Sequence, residues 1–363
     1  MKKILLILFS AIFLFSMISC KTTQKKPDET PQKAAVEKAV EKAVELVFSG
    51  LNAAAADAEA ARKRAMDFDT NSYFPGDWEP IEAKYAEAGA IPRDSKENID
   101  KATDLFKEVK VSYDELFEKA VPLYAQARED EIMSVRTELT ATAFAIDFFE
   151  YLDKADTTAL EAWDQYENKD YYAAKSTAAK ALEKYQALLS GALAYSVREE
   201  ILKRNFSGYD QENFDKAEEA GNAALAAFDE GNIKLSRDNA DEAQLRYNLV
   251  LNTAWAIFAA EKGKAAESLK QQAIDAKGNV AARTEFATAD IIYAKAAALL
   301  KAEKFADAGD LFEKAELQFA EVIRITGEKR IAAEAAIREA EERTEESDEA
   351  ARRAEEIIEG GTE

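Results

Sequence analysis

The sequence predicts an all-α protein built from stacked antiparallel helical hairpins. Three observations predict it. Of 363 residues, 72 are Ala, the residue that leads the helix-propensity order. Only six prolines occur, and the last is Pro122, so the following 241 residues lack the one residue that costs a helix interior about 3 kcal/mol. Finally, one set of apolar columns recurs four times at helical spacing.

The composition excludes several chemistries. With no His there is no imidazole base, no His metal ligand and no Ser-His or Cys-His nucleophile. One Cys allows no internal disulfide, thiolate zinc cluster or iron–sulfur site. A net charge of −22 argues against nucleic acid, which needs clustered Lys and Arg, and against a polybasic grip on anionic lipid.

The first element is a signal segment, residues 1–19. Met1-Lys2-Lys3 is a short basic start, and Ile4 to Ile18 is apolar apart from Ser10 and Ser16. The run is shorter than the roughly 20 residues of a membrane span and sits where a secretory h-region sits. It ends in Met17-Ile18-Ser19-Cys20. These four residues resemble a bacterial lipobox of the relaxed, spirochaetal kind, with Met17 where the common pattern has Leu. The resemblance implies cleavage between Ser19 and Cys20, and S-diacylglycerol and N-acyl modification of Cys20. Several acyl chains suffice for stable anchoring. No second apolar run reaches spanning length.

Residues 20–33 follow as the acylated Cys and a polar tether with Pro27 and Pro31 and no periodicity, read as disordered. Residues 34–70 read as an N-terminal amphipathic helix with Val36, Val40, Val44, Val47, Phe48 and Leu51 as its apolar side. Residues 71–325 form the helical-repeat body. Residues 326–363 read as a charged, solvated C-terminal helix and tail, with Ile331, Ile337, Ile357 and Ile358 as its few larger apolar residues.

Within the body, a large residue is followed by others at +3, +7, +10 and +14. The copies are Ile99, Ala102, Phe106, Val109, Tyr113; Tyr171, Ala174, Ala178, Ala181, Tyr185; Ile233, Ser236, Ala240, Ala243, Tyr247; and Phe305, Ala308, Phe312, Ala315, Phe319. The small residue at +3 permits close approach of a neighbouring helix. Upstream, Ala162, Ala224 and Ala296, then Tyr166, Phe228 and Leu300, mark a preceding helix, with a turn at Gly231. In the first copy Trp78, Ile81 and Tyr85 give that helix, and Gly89 to Ser95 lengthen the turn. The larger apolar residues do not hold a sustained heptad, which disfavours a coiled coil.

The fourth copy, with Ala296, Leu299, Phe305, Ala308, Phe312 and Ala315, is similar to the tetratricopeptide repeat, which implies a degenerate solenoid. Its copies stand 72, 62 and 72 residues apart rather than at the family's period of about 34. Ala159 to Tyr185 and Phe286 to Glu342, together with the lipobox and tether, resemble the treponemal membrane protein A type of spirochaetal lipoprotein antigen. That resemblance implies a membrane-anchored antigen, at an outer membrane in preference to the periplasmic face of an inner one.

The chemical candidates have bland readings. Asp153 with Asp156, Asp238 with Asp241, and Glu199 with Glu200 read as solvated faces. Asp67-Phe68-Asp69-Thr70-Asn71 has the first ligand spacing of an EF-hand, but Ser72 stands for the turn Gly and Trp78 for the bidentate Glu. Tyr113, Tyr185, Tyr247 and Phe319 read as core, as do Trp78, Trp163 and Trp255. A concave groove, if formed, falls near Gln165, Ala227 and Leu299. Asn205-Phe206-Ser207 is formally a glycosylation sequon of little weight in a bacterial chain. No catalytic residue, cofactor or metal is expected, and no enzyme. The expected function is a membrane-anchored interaction or structural component of the cell envelope, with an envelope protein or a second copy as partner. The alternative is an accessory, solute-binding lipoprotein of an uptake system, signalled by a buried apolar cavity with a few convergent polar groups.

Overall fold

The computed structural model describes residues 30–360, with side chains over 35–357. The signal segment, the Ser19–Cys20 cleavage and acylation site, and the tether as far as Glu29 lie outside the described residues. Among the described residues 92% are helical and none is in a strand.

The elements in chain order are α1 (Thr30–Asp67), α2 (Thr70–Tyr73), α3 (Pro75–Ala90), α4 (Lys96–Thr140), α5 (Phe144–Asp147), α6 (Phe149–Glu167), α7 (Tyr171–Lys203), a 3₁₀ turn (Ser207–Asp210), α8 (Gln211–Asp229), α9 (Ile233–Asp275), α10 (Gly278–Ala281), α11 (Arg283–Lys301) and α12 (Phe305–Gly360). The pattern is a long helix, a one-turn helix, a shorter helix, and a tight turn into the next long helix. The four sequence columns fall on α4, α7, α9 and α12.

Two kinds of turn punctuate this pattern, and both use left-handed backbone. Asp69, Asn205 and Lys277 follow the long helices with φ of 55°, 59° and 67°. Lys169, Gly231 and Glu303 follow the shorter ones with φ of 61°, 76° and 57°. At the second kind the chain closes each helix with paired bonds: Asn232 N–H donates to Ala227 C=O (2.8 Å) and Gly231 N–H to Phe228 C=O (3.0 Å). Lys304 and Glu303 repeat this onto Leu299 and Leu300, at 3.0 Å each. This is the helix-ending arrangement that glycine suits best, yet only Gly231 is glycine. Asn232 then caps the next helix, its side chain accepting from Leu235 N–H at 3.3 Å.

The chain divides into two compact units, one of residues 30–137 with Asp153–Leu182, the other of Glu138–Leu152 with Glu183 onward. In the first, Leu51, Ala54, Ala58 and Ala61 of α1 pack on Ala88 and on Ile99, Ala102, Phe106, Val109 and Tyr113. Ala65, Phe68, Phe117 and Val121 form a second cluster, where Phe68 meets Phe117 edge-on at 5.3 Å. In the second unit one cluster centres on Phe206, Tyr247, Val250 and Trp255, and another runs through Ala259, Ala266, Ala273, Ala289, Ala296, Phe312 and Phe319.

The structure corrects three sequence expectations. First, the seam of α1 beyond Leu51 is mostly alanine. Of the expected apolar side, Leu51 is buried, Val47 and Phe48 pack against the core, Val40 and Val44 are half-buried and only Val36 is exposed, while the buried stripe continues through Ala54, Ala58, Ala61, Ala65 and Phe68. The helix also begins at Thr30, inside the expected tether. Second, buried positions do alternate in steps of three and four, as at Ser236, Ala240, Ala243, Tyr247, Val250 and Ala254, and at Ala308, Phe312, Ala315, Phe319, Val322 and Thr326. The helices therefore meet along heptad seams whose small residues hide the pattern from a search for large ones. Third, Trp163 is 43% exposed and donates from Nε1 to Glu167 at 3.1 Å. Ala155 and Ala162 occupy the buried stripe of α6, and Trp163 lies one position off it.

No break separates the body from the C-terminal helix. α12 runs on from Phe305, and every residue from 328 to 357 is exposed. No helix among the described residues is long and apolar enough to cross a membrane.

Candidate functional site

Each repeat carries a polar ladder that local periodicity does not show. In the first copy Arg62 of α1 forks onto Glu82 of α3, with Nε to Oε1 at 2.7 Å and Nη2 to Oε2 at 3.1 Å. Tyr113 of α4 donates to the same Oε1 at 2.6 Å. In the third copy Arg198 of α7 forks onto Glu218 of α8 at 2.6 and 3.3 Å, and Tyr247 of α9 donates at 2.5 Å. In the second, Arg136 forks onto Asp156 at 2.8 and 2.9 Å, and Tyr185 stands 29 residues further along the chain. In the fourth, Lys270 is in ion-pair contact with Asp290, and Phe319 stands 29 residues on.

Cation and carboxylate are 20 residues apart in all four copies, at 62/82, 136/156, 198/218 and 270/290. The aromatic follows the carboxylate by 29 residues, or by 31 in the first copy, whose turn is longer. Arg62–Glu82–Tyr113 and Arg198–Glu218–Tyr247 thus each tie three successive helices, while the Arg136–Asp156 and Lys270–Asp290 contacts each join two. Arg suits the three-helix tie because its planar fork matches a carboxylate and leaves an oxygen lobe for the tyrosine. In the fourth copy the Lys contact is not aligned as a hydrogen bond, and Asp290 Oδ1 is buried without a hydrogen-bond partner. There the chain has lost both the fork and the hydroxyl.

The environment shifts these groups. Burial pushes Glu82 and Glu218 up, but the hydrogen bonds from Arg62 and Tyr113, and from Arg198 and Tyr247, hold both below the usual carboxylate value. Burial, then the carboxylate it donates to, raises Tyr113 and Tyr247 well above a free phenol. Hydrogen bonding to Asp147, then burial, lifts Tyr195 to about 12.

Beside the third ladder lies a cavity of about 340 Å³, inside the second unit. Its apolar wall is Phe144 and Phe148 with Leu188, Leu225 and Phe228, and its floor includes Gly221, Ala240 and the Arg198–Glu218–Tyr247 ladder. Phe144 and Phe148 stack at 4.5 Å and 19°, and Tyr195 stands edge-on to both, at 5.9 and 5.4 Å. The short helix α5 positions both phenylalanines. The volume lies near the lower end of the roughly 300–1,000 Å³ typical of small-molecule sites.

The other sequence candidates have local roles. Tyr113, Tyr185, Tyr247 and Phe319 are buried, as expected, and so is Trp255, while Trp78 packs against both clusters of the first unit. Asp67 ends α1: Tyr172 donates to its carboxylate at 3.0 Å and Lys175 to its carbonyl, while Asp69 is the left-handed turn residue. Among the described residues no cluster of three His, Cys, Asp or Glu could hold a metal. Of the acidic pairs, Asp156 faces Arg136, Asp238 faces Lys234 at 3.1 Å, and Glu199 accepts from Arg198 Nη1 at 3.0 Å. At the expected groove, Ala227 is buried and Leu299 packs against the core. Asn205 ends α7.

The chain matches no protein-family model, no curated protein and no solved structure.

Proposed function

We propose that this chain is a membrane-anchored lipoprotein of a bacterial cell envelope, of the treponemal membrane protein A type, held by diacylglycerol and acyl groups on Cys20. Its body is a degenerate tetratricopeptide-like solenoid that works as a non-enzymatic interaction and structural component, favoured at the outer membrane. The observation that supports this reading is the cation–carboxylate pair, repeated four times at the same 20-residue spacing. A repeat protein is stabilised by nearest-neighbour interfaces, and a fixed tie at each one suits a scaffold that keeps its surface in register. Its partner is an envelope protein or a second copy. The stretch 328–357 leaves thirty exposed residues of α12 for such a partner.

The test is Cys20→Ala with membrane fractionation and in-cell crosslinking. The expected outcome is release from membranes with the helical circular-dichroism signal intact, and loss of the crosslinked species formed by the acylated protein. Retention of the variant in membranes refutes the anchor. A second reading, an accessory solute-binding lipoprotein of an uptake system, is favoured by one observation, the apolar cavity of the third repeat.

A further inference from the structure

We infer that the cavity of the third repeat is a binding site for an uncharged, ring-bearing apolar small molecule. The inference deepens the solute-binding reading and is independent of where the chain is anchored.

Aligning the ladders shows how the cavity arises. Three residues beyond the carboxylate stand Tyr85, Ala159, Gly221 and Tyr293, and seven beyond the first column stand Phe106, Ala178, Ala240 and Phe312. In the first copy Tyr85 meets Phe106 at 5.6 Å and 73°, and in the fourth Tyr293 meets Phe312 at 5.6 Å and 61°. Both tyrosines also reach the ladder aromatic, Tyr113 or Phe319, at 6.4 Å. Two repeats therefore fill this position with the same pair of rings. The second and third lack both rings, with Ala159 and Ala178 in the second and Gly221 and Ala240 in the third, and the third's pair lines the cavity beside Phe144 and Phe148. A Cβ built on Gly221 meets nothing within 4 Å. The space is partly open to solvent, and a ring seated in it would restore contacts that the paired rings make in the first and fourth repeats.

The walls define the ligand. Phe144, Phe148 and Tyr195 present faces and edges that suit a ring in offset or edge-on contact. The charged floor is closed on itself. Arg198 gives Nε and Nη2 to Glu218 and Nη1 to Glu199, and Tyr247 gives its proton to Glu218. An ionic ligand would enter without a counter-charge and lose its hydration, whereas a neutral one loses little.

The test titrates the full chain, in a Cys20→Ala background so that acyl chains do not compete, with the neutral fluorophore N-phenyl-1-naphthylamine. Comparison with Gly221→Tyr/Ala240→Phe, which copies the filling of the first and fourth repeats, removes dye taken up elsewhere. The expected result is saturable binding near one per chain, weakened at least tenfold in the refilled variant, whose urea midpoint is unchanged or raised. The sulfonated analogue 8-anilinonaphthalene-1-sulfonate should bind at least tenfold more weakly than the neutral dye. If the double variant does not fold, Gly221→Leu is read in the same way. Absence of saturable binding, equal binding by a folded refilled variant, or equal binding of the sulfonate overturns the inference. None of these outcomes bears on the anchor, which the fractionation of Cys20→Ala tests separately.

Discussion

Removing the hydroxyl from Tyr247 and adding one to Phe319 should shift stability in opposite directions. Both residues occupy the same ladder position, and both are almost fully buried, at 3% and 0% exposure. In the third copy the Tyr247 hydroxyl donates to Glu218 Oε1, a hydrogen bond to a charged acceptor, worth roughly 1.5–3 kcal/mol. Glu218 is one-third exposed and keeps its Arg198 fork, so solvent and the remaining partner take up part of the loss. Tyr247→Phe should therefore cost about 1–1.5 kcal/mol. In the fourth copy Asp290 Oδ1 meets Lys270 in an ion pair but accepts no aligned hydrogen bond. Phe319→Tyr places a donor at the register that Tyr247 holds relative to Glu218, and should add about 1 kcal/mol. The assay is urea unfolding followed by helical circular dichroism, read as midpoint shifts at unchanged slope. Destabilisation by both substitutions, or no effect of Tyr247→Phe, would refute the ladder as a register-setting tie.

Acid should weaken the ladders. Glu82 and Glu218 are held below their unfolded value, so their contribution is complete above the ordinary carboxylate pKa of about 4.3 and is lost as pH falls through the lower folded value. Urea midpoints measured from pH 7 to pH 3 should fall more for the parent chain than for Glu218→Gln. Alkali acts with the opposite sign: the raised values of Tyr113, Tyr195 and Tyr247 give stability that is complete below about pH 10 and is lost above it. Absorbance near 295 nm should show these phenols ionising only above the main tyrosine transition. At the turns, Lys169→Gly and Glu303→Gly should each raise stability by about 0.5–1 kcal/mol, because both residues hold positive φ, while Gly231→Ala should lower it by a similar amount. Gly309→Ala should destabilise α12, since its Cβ would lie 2.8 Å from Phe258 Cδ1 and 3.3 Å from Trp255 Cζ3, a clash visible in a thermal melt.

Much of the fold is legible in the residues. The four columns ending at Tyr113, Tyr185, Tyr247 and Phe319 obey helical periodicity, and all four aromatics are buried. The turn at Gly231 announces itself by residue type, but those at Lys169 and Glu303 do not, because neither residue advertises a left-handed backbone. The alanine seam of α1 was hidden for a related reason. Burial of a small residue shows only when its neighbours are known, so the stripe from Ala54 to Ala65 carries no signal beyond Leu51. Trp163 misled in the opposite sense, as a large ring one step off a stripe of alanines. The ladders lay outside any local window, since Arg198 and Glu218 are 20 residues apart on different helices. Aligning the four copies on their columns would have exposed the constant 20-residue spacing. The cavity needed the same alignment, because Gly221 and Ala240 carry no signal until Tyr85 and Phe106, or Tyr293 and Phe312, are set beside them.

The proposed anchor at Cys20 is tested most directly by the mass of the N-terminal peptide of the chain recovered from membranes. The expected peptide begins at Cys20 and carries diacylglycerol and an amide-linked acyl chain. A peptide that runs through Ser19–Cys20 with an unmodified thiol would contradict the proposed lipoprotein.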